Sequence, residues 1–258
     1  MATPISFIVP VADDATYNRC FKNSPLLATG GPFEVFCQRG FKSAAAAYNR
    51  GIDASRNDLL VFCHQDVMLP ASWAETFGKR LEELNRTDPN WGVVGCAGQT
   101  REEQVAAHIY RHDRELRGVV PLPAKVRTLD ECIIAFRRSA GLRFDEAVPG
   151  FFRYGVDICL QAEARKRHNY VLDAPCFHQG KNRASLPSLF FEEERYLIKK
   201  WKNHLPIQTL SAGQVRGNSY LIYKRLRNTG RKVLAMCGYR SEPWWWTLPK
   251  ISPEELLG

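Results

Sequence analysis

The residues best placed to do chemistry lie in Ala44–Pro70, AAAAYNRGIDASRNDLLVFCHQDVMLP, and above all in its triplet His64, Gln65 and Asp66. Before the triplet runs Leu59–Leu60–Val61–Phe62–Cys63, a short apolar stretch preceded by turn residues at Arg56–Asn57–Asp58. A run of that length and composition predicts a strand buried on both faces. Such strands belong to sheets covered by helices, whose ligands bind at the strands' carboxyl ends. Side chains alternate along extended backbone, so His64 and Asp66 point the same way and Gln65 the other. An imidazole and a carboxylate then share the rim of a cleft. A hard divalent cation bridging two phosphates needs oxygen ligands of that kind, and Asp66 is the leading candidate to supply one. His64 could accept Mn²⁺ or donate to a phosphate or hydroxyl. The competing reading for Asp66 is a helix cap ahead of Pro70.

The elements needed to hold that rim follow from pattern. Ile5–Val11 reads as a first strand ending in Asp13–Asp14, with a helix over Ala15–Lys22. Phe33–Cys37 is a second strand, and Ser43 caps an Ala-rich helix ending near Ala54. A helix opening at Pro70–Ala71–Ser72 runs to Leu84, and WGVVGCA (Trp91–Ala97) is another buried strand. Alternating strands and helices predict a three-layer α/β domain with a mostly parallel sheet. Gln99–Gly118 is polar without a clear period and reads as a long loop. Val126–Arg138 looks like a strand pair or one bent strand. Asp157–Arg167 is helical, Tyr170–Asp173 a short strand and Pro175–Arg183 a loop. Two more helices, Leu189–Trp201 and Tyr220–Cys237, complete the chain, the last strongly basic.

Composition narrows the class. At 258 residues the chain suffices for one large domain or one domain with an appendage, and 45% apolar with 24% charged residues is ordinary for a globular protein. No apolar run is long enough to span a bilayer. MATPISFIVPVADD lacks a basic n-region and turns acidic at once, which predicts a cytoplasmic protein. The eight cysteines are scattered without a C-x-x-C pair, several inside apolar runs, so reduced buried thiols are expected. The net charge is +9, and residues 181–258 hold fourteen Lys and Arg against six Asp and Glu. That basic third suits either a solvated helix face or an acidic partner such as anionic lipid. No basic strand interleaved with aromatic residues supports nucleic-acid binding.

SFIVPV, AYNRGIDASRNDLLVFCHQDV and FDEAVPGFFRYGVDICLQA followed by His178 together resemble family-2-like bacterial glycosyltransferases of GT-A fold. The resemblance covers roughly Ile5–Arg183. It implies a Rossmann-like GT-A domain over residues 1–183, followed by a basic helical extension over 184–258. His64–Gln65–Asp66 stands where the family has Asp-x-Asp, with Asp66 at the metal-contacting position. The implied activity is transfer of a sugar from a nucleoside diphosphate donor to a saccharide or lipid-linked acceptor, with inversion and with Mn²⁺ or Mg²⁺. His178 would reach back to the metal, and Lys181 and Arg183 would clamp phosphate. Pro10, Val11, Asp13 and Asn49 would hold the nucleotide with the triplet. Asp157, in Gly155–Val156–Asp157, would be the general base, with Asp145 and Glu146 in reserve and Asp130 and Glu131 behind them. Gly155 departs from the family, which often carries a second acid there. The basic last helix and Trp244–Trp245–Trp246 would bring the protein to an anionic membrane surface. A nucleotidyltransferase and a non-catalytic binding module on the same scaffold are the alternatives. The first would want a Gly- and Lys-rich loop after the first strand, which Ala12–Asp13–Asp14 does not provide.

Overall fold

The computed structural model describes residues 3–111, 114–180 and 185–239. In chain order its strands are β1 (Ile5–Val11), β2 (Phe33–Arg39), β3 (Leu59–Cys63), β4 (Val67–Met68), β5 (Trp91–Gly95), β6 (Ala97–Gln99), β7 (Val105–Arg111), β8 (Arg114–Arg117), β9 (Ala124–Val126), β10 (Thr128–Leu129), β11 (Ile133–Arg137), β12 (His168–Val171) and β13 (Phe177–His178). The helices are α1 (Asp14–Arg19), α2 (Pro25–Ala28), α3 (Ala44–Ala54), α4 (Trp73–Thr87), α5 (Tyr154–Ala164), α6 (Ser188–Lys200) and α7 (Asn218–Met236).

The main sheet runs β2-β1-β3-β11-β5-β12-β9. Its pairings leave β2, β1, β3, β5 and β12 pointing one way and only β11 and β9 reversed, so the mostly parallel expectation holds. Every residue of β3 and β5 is buried, as their unbroken apolar runs require. Helix α3 is capped by Ser43, whose hydroxyl accepts the Ala46 N–H. It lies close on β1 because Gly51 has no side chain; a Cβ there would come within 2.3 Å of Ile8. Trp73 and Phe77 of α4 stack at 4.7 Å on the same core.

Reversal of β11 is what builds the rim. Ile133, at its start, pairs with Cys63, at the end of β3, so the loop entering β11 and the triplet leaving β3 meet at one edge.

A second sheet, β10-β6-β7-β13-β4 with β8 on β7, stands beside the first. It corrects the loop expected over Gln99–Gly118, since Val105–Arg111 and Arg114–Arg117 pair as antiparallel strands. Part of the loop expected over Pro175–Arg183 is also strand, Phe177–His178 pairing with Met68–Val67. All eight cysteines are free thiols, six of them buried, and Cys96, Cys132 and Cys176 cluster behind the rim.

The C-terminal helices share a core with the body: Phe190, Phe191, Leu197 and Leu221 pack with Val148, Val156 and Leu160 of the α5 region. No helix among the described residues is long and apolar enough to cross a membrane. The expected boundary at 183/184, with Lys181 and Arg183, falls outside the described residues, as does Trp244–Trp246.

Candidate functional site

Where β3 ends, the chain turns and enters β4, which pairs antiparallel with β13. That pairing sets His178 against Val67 and brings it over Asp66. One ligand atom each from His64, Asp66 and His178 lies within 4.8 Å of the others. His178 Nε2 is 3.3 Å from Asp66 Oδ1, and His64 Nδ1 is 4.0 Å from the same oxygen. Burial disfavours charge on Asp66, but the hydrogen bond from His178 and the fields of both imidazoles outweigh it and hold the carboxyl well below its usual range. Burial and the neighbouring His178 lower the His64 pKa and favour the neutral ring.

Tyr154, at the start of α5, decides how that ring is presented. Its hydroxyl donates to the Glu131 carbonyl at 3.2 Å and lies 2.8 Å from His64 Nε2. The Tyr154 hydroxyl thus engages Nε2 of His64, and Nδ1 is the ring nitrogen on the Asp66 side. Burial keeps Tyr154 protonated. Two imidazole nitrogens and a carboxylate oxygen converging on one point fit a divalent cation. A mixed nitrogen and oxygen set suits Mn²⁺ better than Mg²⁺, which prefers oxygen alone.

Gln65 points away from the cluster, but the triplet is a turn closed by the Val67 N–H on the His64 carbonyl rather than the extended segment expected. Gln65 Oε1 accepts the N–H groups of Ala12 (2.8 Å) and Asp13 (3.0 Å), tying the end of β1 to the end of β3. Asp13 caps α1 through Ala15 N–H, and Pro10 and Val11 close β1 next to that turn. These residues share the carboxyl edge with the cluster.

Four candidates are engaged elsewhere. Asn49 is buried and spends its amide on the Phe144 backbone and on Glu146 Oε1, pinning the 144–146 loop to α3. Asp145 accepts Tyr196 Oη and Lys200 Nζ. Asp157 is 1% exposed and receives Gln161, Lys200 and the Trp201 indole N–H at 2.7 Å. The base role expected of Asp157 therefore meets a geometric obstacle. The Asp157 carboxylate is held on the α6 side, while the Tyr154 hydroxyl and the Gly155 N–H engage Glu131 at the rim.

Tyr154 was missed by sequence reasoning, and Glu131 was placed last. A signal existed for Glu131, an acid just before a strand starting beside β3. It could be used only once β11 was known to be antiparallel. Two surface hollows, beside Leu59 and beside Trp91, lie at the opposite ends of β3 and β5 and hold none of these groups.

The mostly parallel sheet, with the His64–Asp66–His178 cluster at its carboxyl edge, has the architecture of a GT-A fold. Residues 6–186 match the model of a family described as glycosyltransferase-like, and the chain belongs to that family. A Fuscovulum blasticum protein named ATP synthase subunits region ORF 6 is 31% identical over 156 residues, 57% of this chain. The chain spans only 61% of that relative's length. The mannosyltransferase PcManGT of Pyrobaculum calidifontis, solved with GDP-Man and Mn²⁺, is similar in fold. Its TM-score is 0.52 at 11% identity, over 93% of this chain and 77% of that one. TarS residues 1–349 of S. aureus align with a TM-score of 0.48 at 12% identity, over 78% of this chain and 66% of that one.

Proposed function

We propose that the protein transfers a sugar from a nucleoside diphosphate donor to a saccharide or lipid-linked acceptor, with inversion and with a divalent cation held by Asp66, His178 and His64. The observation that carries this reading is the convergence of those three side chains at the carboxyl end of β3. The similar mannosyltransferase, solved with GDP-Man and Mn²⁺, supports it. When bound, the cation would neutralise charge on the departing diphosphate. The chain's own contributions are orientation and exclusion. Tyr154 fixes the His64 ring, and Gln65 fixes the turn from Pro10 to Asp13 against which a nucleotide would lie. A thermal-shift screen of nucleoside diphosphates and their sugars, with and without Mn²⁺, tests the donor class. A ligand at one hundred times its dissociation constant adds about 2.7 kcal/mol of stability, several degrees for a chain of this size. No shift with any nucleotide and no turnover of any nucleotide sugar would end the reading.

A feature of α7 supports peripheral docking on an anionic bilayer. Leu221 and Lys224 face inward, while Ile222, Leu226 and Val233 are exposed in one stripe at helical spacing. Arg225, Arg227, Arg231 and Lys232 lie elsewhere around the helix, and the helix holds no acid. An exposed apolar stripe on a basic helix suits a headgroup layer. Sedimentation with anionic vesicles should pellet the protein in a salt-sensitive way, and Leu226→Glu should abolish it. Failure to pellet, or equal pelleting with neutral vesicles, would rule the idea out.

A further inference from the structure

An acceptor hydroxyl that displaces a diphosphate must lose its proton as the new bond forms, and a carboxylate beside the reacting carbon can take it. Asp157, Asp145 and Glu146 are bonded to α6 or α3 side chains. Asp66 belongs to the cation cluster, and Asp130 accepts Ser211 Oγ and the Cys132 N–H.

Glu131 is differently placed. It stands between β10 and β11, in the loop that Ile133–Cys63 pairing carries to the same rim as the cluster. The neighbouring Cys132 carbonyl accepts the His64 N–H at 3.0 Å, and the Glu131 carbonyl accepts the Tyr154 hydroxyl that holds the His64 ring. Its carboxylate accepts the Gly155 N–H at 3.2 Å, at the opening of α5. A Cβ at position 155 would come within 2.6 Å of Glu131 Cγ. The Glu131 side chain thus occupies the space that a side chain at position 155 would need.

We infer that Glu131 is the catalytic carboxylate that takes the proton from the acceptor hydroxyl, an assignment that rests on the transferase reading above. The acceptor O–H breaks and its proton passes to Glu131, while the oxygen lone pair forms the bond to the anomeric carbon. The bond from that carbon to the diphosphate oxygen breaks, and its electron pair leaves on the phosphate.

The surroundings tune this carboxyl. Burial and the adjacent Asp130 push its pKa up to about 8, against the pull of Arg153 and the backbone N–H groups of residues 155 and 153. Tyr48, Tyr154, Cys159 and Glu193 are the other titratable groups that feel it. A base of that pKa is ionised on the alkaline side of neutrality, so kcat/KM should climb with pH and level off above about 8.

The test combines substitutions with a pH profile. Glu131→Gln should lower kcat by on the order of 10²- to 10⁴-fold. It should abolish the alkaline rise while leaving the Mn²⁺–nucleoside diphosphate thermal shift intact. Glu131→Gly with Gly155→Asp returns a carboxylate to the same space from the helix side, and should recover activity lost in Glu131→Gly alone. A residue that merely capped α5 would lower the melting temperature in Glu131→Gln without touching the profile. Wild-type kcat and profile in Glu131→Gln, alongside an active parent, would overturn the assignment alone. An inactive parent unshifted by any nucleotide would overturn the transferase reading and this assignment with it.

Discussion

Asp66→Asn should reduce sugar transfer by on the order of 10³-fold, the scale seen when a preorganised charge-stabilising group is removed. The substitution keeps the shape of the side chain and an oxygen that can accept from His178 at the present 3.3 Å. What it loses is the negative charge at the centre of the His64–Asp66–His178 cluster. Two imidazoles and an amide hold a divalent cation far more weakly than a set containing a carboxylate. The stabilisation by nucleoside diphosphate that depends on Mn²⁺ should vanish with the activity. The melt of the ligand-free protein should stay cooperative and within a few degrees of the parent. Undiminished turnover in Asp66→Asn, or in the parent under excess chelator, would remove the cation from the mechanism.

The largest effect on stability should come from a residue far from that rim. Glu194 is 0% exposed, and its two oxygens bind Arg153 Nη2 and Lys224 Nζ, each at 2.7 Å. Arg153 also donates to Thr209 and to the carbonyls of Ser211 and Gly213, and stacks on Phe190. Burial and the charge of Arg153 lower the Lys224 pKa to about 8, even with Glu194 opposing them. Glu194→Gln would leave two enclosed cations facing each other. Breaking a buried pair from one side costs about 3–5 kcal/mol, roughly 10 °C in the melting temperature at this chain length.

The pH dependence carries a definite sign. A lysine whose folded pKa lies below its unfolded value binds fewer protons when folded, so stability rises with pH between the two values. In Glu194→Gln the folded value falls further and the rise begins at lower pH. The gap to the parent should therefore narrow as the pH rises toward about 8 and stay constant beyond it, where Lys224 is losing its proton in both proteins. Equal melting temperatures at pH 7 would show that the triad does not hold the helices.

How much was legible in the sequence depended on how local the signal was. Leu59–Cys63 and Trp91–Gly95 declare themselves because a strand buried on both faces needs an unbroken apolar run. The placement of His64, Gln65 and Asp66 at the end of that run follows from where the apolar run stops, although the three residues form a turn instead of continuing the alternation. Val105–Arg111 gave no such signal. Three of its four buried residues, Ala106, Ala107 and His108, have little intrinsic strand preference, and with Ile109 they are held as a strand by pairing with β6, β8 and β13. The surroundings of the base candidates were less legible. Asp157 stands at a helix start, but its partners Lys200 and Trp201 come from the end of α6, a contact that no local pattern announces. Glu131 became readable only when the antiparallel insertion of β11 carried its loop beside Cys63.

The shared packing between α5 and the last helices bears on where this protein may be cut. A fragment stopping at Leu186, the end of the family match, would keep Arg153 but discard its counter-ion and the cover over Val148, Val156 and Leu160. A fragment extended through Lys224 should therefore melt cooperatively, and one ending at Leu186 should not.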